Sequence, residues 1–133
     1  MTLGPSVALI TGWFNVAFRN TAYTPTTSWL KLHVADPGPA GATSPAVYTT
    51  RNPITFGAPS SAAGVVTIAN TAQIQIVGIT GSEDASHYSL WDTVGPAGGN
   101  FLGSGIINAN AYTAGDTLTF AIGAITIAFN VAN

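Results

Sequence analysis

The residues able to do acid–base or nucleophilic chemistry are few. His87, Ser89 and Asp92 fall in one short stretch, with Glu83 and Asp84 just before it and His33 and Asp36 far upstream. Ser89, His87 and either Asp92 or Asp84 are the residue types of a hydrolase triad, where the imidazole takes the serine proton and the acid orients the imidazole. If the stretch is a strand, however, His87 and Ser89 share one face and Asp92 points to the other. No G-x-S-x-G elbow is present. A triad is a matter of geometry that one local strand does not supply. The expectation is therefore structural: His87 hydrogen-bonds near a loop and Asp92 caps a turn. As metal ligands, His33, His87, Asp36, Glu83 and Asp84 lack the compact spacing of a zinc site or the pattern of a calcium-binding EF-hand.

Other chemistries fall away in the same manner. The chain has no Cys, which removes disulfides, thiolate metal sites and a Cys nucleophile. Gly98 to Gly105 is Gly-rich but lacks the Lys and the following helix of a phosphate-binding loop. The sequence thus predicts a protein that is not an enzyme and carries no metal or cofactor. Arg19, Lys31 and Arg51 are the only cations and the formal net charge is −2. Nucleic-acid binding would lack phosphate neutralisation, its main driving force. The apolar tail Leu118–Val131 is broken by Gly123 and alternates with Thr and Ala, so no membrane-spanning helix is expected. No cationic segment precedes the N-terminal apolar stretch, so no signal peptide is expected either.

Charge is the unusual feature of the composition. Only 6% of the 133 residues are charged, against about 25% in a typical soluble domain. The remaining polar surface would be Thr, Ser, Asn and Gly, which is tolerated best where neighbours cover it. That argues for an assembly.

The segments that must hold these residues read mainly as short strands. Glu83 to Gly105 organises the rest: alternation through Trp91 and Asp92 predicts a strand, Gly95–Asn100 a long loop, and Phe101 to Ile107 the returning strand of a hairpin. Trp29 to Val34 alternates strictly, with Leu30, Leu32 and Val34 on one face and Trp29, Lys31 and His33 on the other, as in a half-buried strand. Asp36-Pro37-Gly38-Pro39 ends it. One or two short strands are expected within 47–56, a small-residue turn over 58–64, strands at 65–68 and 74–77, and loops at 78–85 and 108–116. Leu118, Phe120 and Ile122, a Gly123-Ala124 turn, and Ile125, Ile127, Phe129 and Val131 predict a C-terminal hairpin.

Residues 1–20 stand apart. Gly4-Pro5-Ser6 resembles a helix start, and Val7, Ile10, Phe14 and Phe18 recur at spacings of three and four, widened by Leu9 and Trp13. A helix over about 5–18 is expected, weakened by Gly12 at about 1 kcal/mol relative to Ala; the alternative is an extended arm on a neighbour. Trp13, Phe14 and Phe18 read as core or interface filler. The whole is an all-β chain, a β-sandwich or jelly-roll-like single domain over 21–133, preceded by an N-terminal helix or arm over 1–20 and joined to it by a Thr-rich linker at 21–28. Four further residues are candidate keystones. Arg51 would pair with Asp92 or Asp36, Trp91 would bury a large apolar area, and Asp36 and Asp92 would fix their turns.

Three groups of motifs, in this order, carry a resemblance. They are Trp29-Leu30-Lys31-Leu32-His33-Val34-Ala35-Asp36-Pro37-Gly38; Arg51-Asn52-Pro53-Ile54-Thr55-Phe56-Gly57-Ala58; and His87-Tyr88-Ser89-Leu90-Trp91-Asp92 with Gly98-Gly99-Asn100-Phe101-Leu102 and Ala114-Gly115-Asp116-Thr117-Leu118. Over roughly residues 29–127 the chain is similar to a family of small virion proteins of tailed bacteriophages and prophages of actinobacteria. Its members often carry the label tail fibre protein, and some look like capsid decoration (minor capsid) proteins. The resemblance implies a non-enzymatic virion component assembled in the host cytoplasm. Because the chain is short and shows no shaft or coiled coil, the leading expectation is a decoration protein. It would cement the outer surface of the head, bind the major capsid protein and self-associate as a trimer, with residues 1–20 as anchor. One alternative is a tail-tip or tail-fibre component touching the host through the Gly95–Asn100 loop. Another is a carbohydrate-binding β-sandwich stacking sugars on Trp29 or Tyr112.

Overall fold

The computed structural model describes residues 3–23 and 27–132; the middle of the linker expected at 21–28 lies outside them. Among the described residues the chain forms one helix, α1 (Val7–Arg19), and ten strands: β1 (Gly4–Pro5), β2 (Ser28–His33), β3 (Asn52–Ile54), β4 (Ser60–Ala62), β5 (Val65–Ala69), β6 (Ile74–Ile76), β7 (Glu83–Trp91), β8 (Phe101–Tyr112), β9 (Leu118–Phe120) and β10 (Thr126–Asn130). They build a five-stranded sheet in the order β1-β8-β7-β2-β3, a three-stranded sheet β10-β5-β4 and a two-stranded sheet β6-β9, every pairing antiparallel. Pro53 is on β3, at an edge of the large sheet, where a missing donor is tolerated.

The architecture is an all-β sandwich. Leu30, Leu32, Ile54, Leu90 and Leu102 of the large sheet share one core with Ile74 and Ile76 of β6, Leu118 and Phe120 of β9 and Ile127 of β10. Burying these faces against one another is the main stabilising contribution. Tyr88 ties the layers directly, its hydroxyl donating to the Thr126 carbonyl on β10; burial pushes its pKa up to about 12. Its ring crosses its cross-strand partner Gly105, where a Cβ would stand 2.3 Å from the hydroxyl oxygen. A glycine is therefore required at that position by close approach.

The central hairpin forms as the alternation predicts, but it is longer. Glu83 and Asp84, expected in a loop, begin β7, and β8 runs on to Tyr112 where a turn was expected. Strand β7 is buried on both faces near its end, with Tyr88, Ser89, Leu90 and Trp91 all inside. The predicted half-burial of β2 is corrected in the same way: His33 is fully buried although it shares a face with Lys31, while Val34 lies outside the strand and is exposed. Loop 34–45 covers that face, and Thr43 and Pro45 reach His33 from it. The turn expected over 58–64 shrinks to Ala63-Gly64, both at positive φ, because Ser60–Ala62 pair as β4.

The C-terminal hairpin is the main correction. β9 pairs with β6, whereas β10 pairs with β5, so the two segments enter different sheets. Asn70 is the cause. Buried between them, it donates from Nδ2 to Ala121 and Ala72 and accepts at Oδ1 from the Ile125 amide, while its backbone bonds Ile125 and Gly123. The chain from 121 to 125 wraps around this side chain instead of closing on itself.

Candidate functional site

Helix α1 carries the largest departure from an ordinary globular surface. Ser6 is its N-cap, accepting from the Leu9 amide, and it anchors the helix start to β8 through the Leu102 and Phe101 carbonyls. The helix ends at Asn20 in the left-handed region, φ 49°. Gly12 has a specific purpose that its low helix propensity hides. It is the buried residue of α1, and the Tyr23 ring packs where a Cβ would be, 2.8 Å away.

At 3.6 residues per turn, Leu9, Trp13 and Val16 lie on one side of α1 and Val7, Phe14 and Phe18 on the opposite side. Thr11 falls among Val7, Phe14 and Phe18, and Asn15 and Arg19 lie between the two sides, with Arg19 Nη1 donating to Asn15 Oδ1 at 3.3 Å. The Leu9–Trp13 side faces the domain, where Trp13 meets Phe129 edge-on at 6.3 Å. The stripe that the spacing predicted is turned outward at three of its positions, while Leu9 and Trp13, expected to widen it, lie on the other side: Val7 is 83% exposed, Phe14 57% and Phe18 80%. Of the three residues expected as core or interface filler, Phe14 and Phe18 lie outside the core, and Trp13 packs on Phe129 while staying 44% exposed. A helix apolar on two opposite sides is one that has a second surface to meet.

Beside α1 opens an apolar cleft of about 540 Å³, with walls that include Leu9, Trp13, Phe56, Val66, Ile127 and Phe129. Ser28 is the one residue with a polar side chain in its lining.

Two of the keystone candidates, Arg51 and Trp91, meet directly. Trp91 is 8% exposed, with the Arg51 guanidinium carbon 4.0 Å from its ring centre and Phe101 at 5.6 Å. Arg51 is buried, and its Nη1 donates to the Thr93 carbonyl and hydroxyl and the Gly98 carbonyl at 3.0–3.1 Å. The expected ion pair to Asp92 or Asp36 is not formed. Both Asp92 oxygens are taken by Asn100, from its amide and its Nδ2 at 2.7 Å, and Asp36 accepts from the Gly38 amide. Asp92 and Asp36 thus fix their turns as expected. Burial lowers the Arg51 pKa, offset in part by the nearby Asp92 charge.

Ser89 meets a histidine, but it is His33 rather than His87. His33 Nδ1 lies 2.8 Å from the Thr43 carbonyl, which can only accept; Nε2 therefore accepts from Ser89 Oγ–H at 2.8 Å. Ser89 Oγ in turn accepts from Trp91 Nε1. The bond is that of a hydrolase Ser–His pair, yet both residues are fully buried, so the serine meets no solvent. His87 bonds its neighbour Ser86. Among the described residues no three of His, Asp and Glu come together. Tyr112, offered above as a sugar platform, is instead buried, with its hydroxyl donating to Glu83.

The His33 geometry has a pH consequence. Burial holds its pKa below the usual 6.5, with Lys31 and His87 adding to this against the Thr43 and Ser44 carbonyls. A group that binds a proton less readily when folded favours unfolding as the pH falls through its unfolded pKa. Stability is expected to be flat above pH 7 and to drop from pH 6.5 toward 5 by at most about 1.4 kcal/mol per unit. Urea melts across that range check this. His33→Gln should lose the slope, and an unchanged slope in that variant would assign it elsewhere.

The signals for Tyr23, Asn70 and the His33–Ser89 pair are absent from local sequence, since each depends on a contact across the fold. No helix among the described residues is long and apolar enough to cross a membrane. No curated protein matches the chain. The family model of podophage GP4 fiber I protein gp80 matches residues 5–128, nearly the whole length and including α1. A small all-β sandwich with an outward-facing apolar helix, matched over that span, belongs to the gp80 fibre protein family, a family of phage fibre-type virion proteins.

Proposed function

We propose that this chain is a non-enzymatic structural component of a phage fibre, held in the virion through the outer side of α1. The observation that carries this reading is the exposure of Val7, Phe14 and Phe18 on a helix that already packs on its domain by the opposite side. Leaving such side chains in water is unfavourable, by about 1.5–3 kcal/mol for each large apolar side chain that a partner could bury. The burial of Ser89 and His33 supports a structural rather than catalytic role for that pair. The family match favours a fibre over a head-decoration protein bound to the major capsid protein, although the same apolar attachment would serve either.

The test is immunogold labelling of intact virions together with incorporation of a Phe14→Ser/Phe18→Ser variant. Label on the fibres, and at least about tenfold less variant than wild type in purified particles, is the expected result. Label over the head shell would replace the fibre reading by decoration. Full incorporation of the variant would remove α1 as the attachment.

A further inference from the structure

We infer that the occupant of the apolar cleft beside α1 is the Phe14–Phe18 pair of a second copy of this chain. The inference rests on the reading of α1 as an attachment surface and names its partner. Phe14 and Phe18 are in mutual edge-to-face contact at 5.8 Å, so they project from α1 as one preformed knob. They are also exposed. The cleft is the matching socket. A dry apolar cavity of about 150 Å³ accommodates a benzene ring, and about 540 Å³ has room for two.

Charge agrees with this assignment, and area makes the contact a weak one. The outward side chains of α1, Val7, Phe14 and Phe18, offer on the order of 300–400 Å², given the ~150–250 Å² that one aromatic side chain can bury. The cleft walls and the surface flanking it are the other partner's share, so the total falls below ~1,200 Å², in the range of weak contacts. Arg19 is the only charged residue on α1 and lies between its two sides, off the knob. No charged residue lines the socket. A copy can therefore dock without desolvating an ion, which is the costly part of burying a surface. Knob and socket are different surfaces, so the contact is heterologous. Repeated, it closes into a ring or runs on as a filament, and in either case α1 of each copy becomes a covered element.

The experiment uses the purified full chain. Sedimentation equilibrium should show wild type self-associating, while Phe18→Asp raises the dissociation constant at least about 30-fold, the effect of losing one hot-spot side chain. Phe129→Asp, which puts a charge in the socket wall, should do the same. Circular dichroism melts confirm that both variants fold. The decisive arm mixes the two variants: each retains the half that the other lacks, so an equimolar mixture should recover a dimer. A monomeric wild type at ~100 µM, a level that a weak interface of this class would already populate, would overturn the inference. So would variants that still self-associate, or a mixture that yields no dimer because α1 pairs with its own counterpart. A monomeric wild type whose virions nonetheless carry fibre label and lose the Phe14→Ser/Phe18→Ser variant would overturn this contact alone and leave the fibre reading standing.

Discussion

Asn70→Ala is expected to destabilise the fold by about 3 kcal/mol. The side chain makes three bonds, to the Ala72 and Ala121 carbonyls and from the Ile125 amide, all at 2.8–2.9 Å. Each is worth about 1 kcal/mol, and the Ile125 amide, buried with its residue, would be left without its partner. For a domain of this size the loss corresponds to roughly 10 °C in melting temperature. Asn70→Asp should not rescue it, because a carboxylate keeps the acceptor but cannot donate to two carbonyls, and it buries a charge. A thermal melt of each variant checks both statements. A drop of less than about 3 °C for Asn70→Ala would mean that backbone bonding alone holds the 121–125 loop.

Arg51→Leu follows, also at about 3 kcal/mol. It removes the cation over Trp91 and the donor shared by the Thr93 carbonyl, the Thr93 hydroxyl and the Gly98 carbonyl. Arg51→Lys should recover little, since an ammonium cannot both lie flat on an indole and reach those oxygens. The readout that separates this from general loosening is local. Amide exchange at Asn100, whose N–H is held by Asp92, should accelerate well beyond that of β2 amides. Uniform acceleration would place the role of Arg51 in the core instead of the 92–100 loop.

The two residues illustrate different degrees of legibility. Arg51 stands out in a chain with three cations, and its burial beside an aromatic strand could be anticipated. Its partners could not. Asp92 is spent on Asn100, eight residues further along the chain. The carbonyls that Arg51 uses carry no sequence signature at all. Asn70, in contrast, reads as an ordinary turn residue between two strands. Nothing within several positions of it shows that it will divide a segment fifty residues away.

Period-two alternation with turn chemistry determined the strands and hence the all-β class, because the side chains of a pleated strand must separate into two faces. The same physics gave the central hairpin and the turn caps of Asp36 and Asp92, which depend on contacts between near neighbours. The sparse charge pointed to a covered surface, and the ordered motifs pointed to a phage virion protein. Tertiary structure decided what alternation leaves open, namely which face is covered and by what. His33 is buried because loop 34–45 folds over it, and β9 and β10 part because Asn70 lies between them. The side of α1 that meets the domain was decided there too. A helix apolar on both sides contains two equally good stripes, and Gly12, by admitting Tyr23, and Ser6, by fastening to β8, fix the rotation that leaves Phe14 and Phe18 outside.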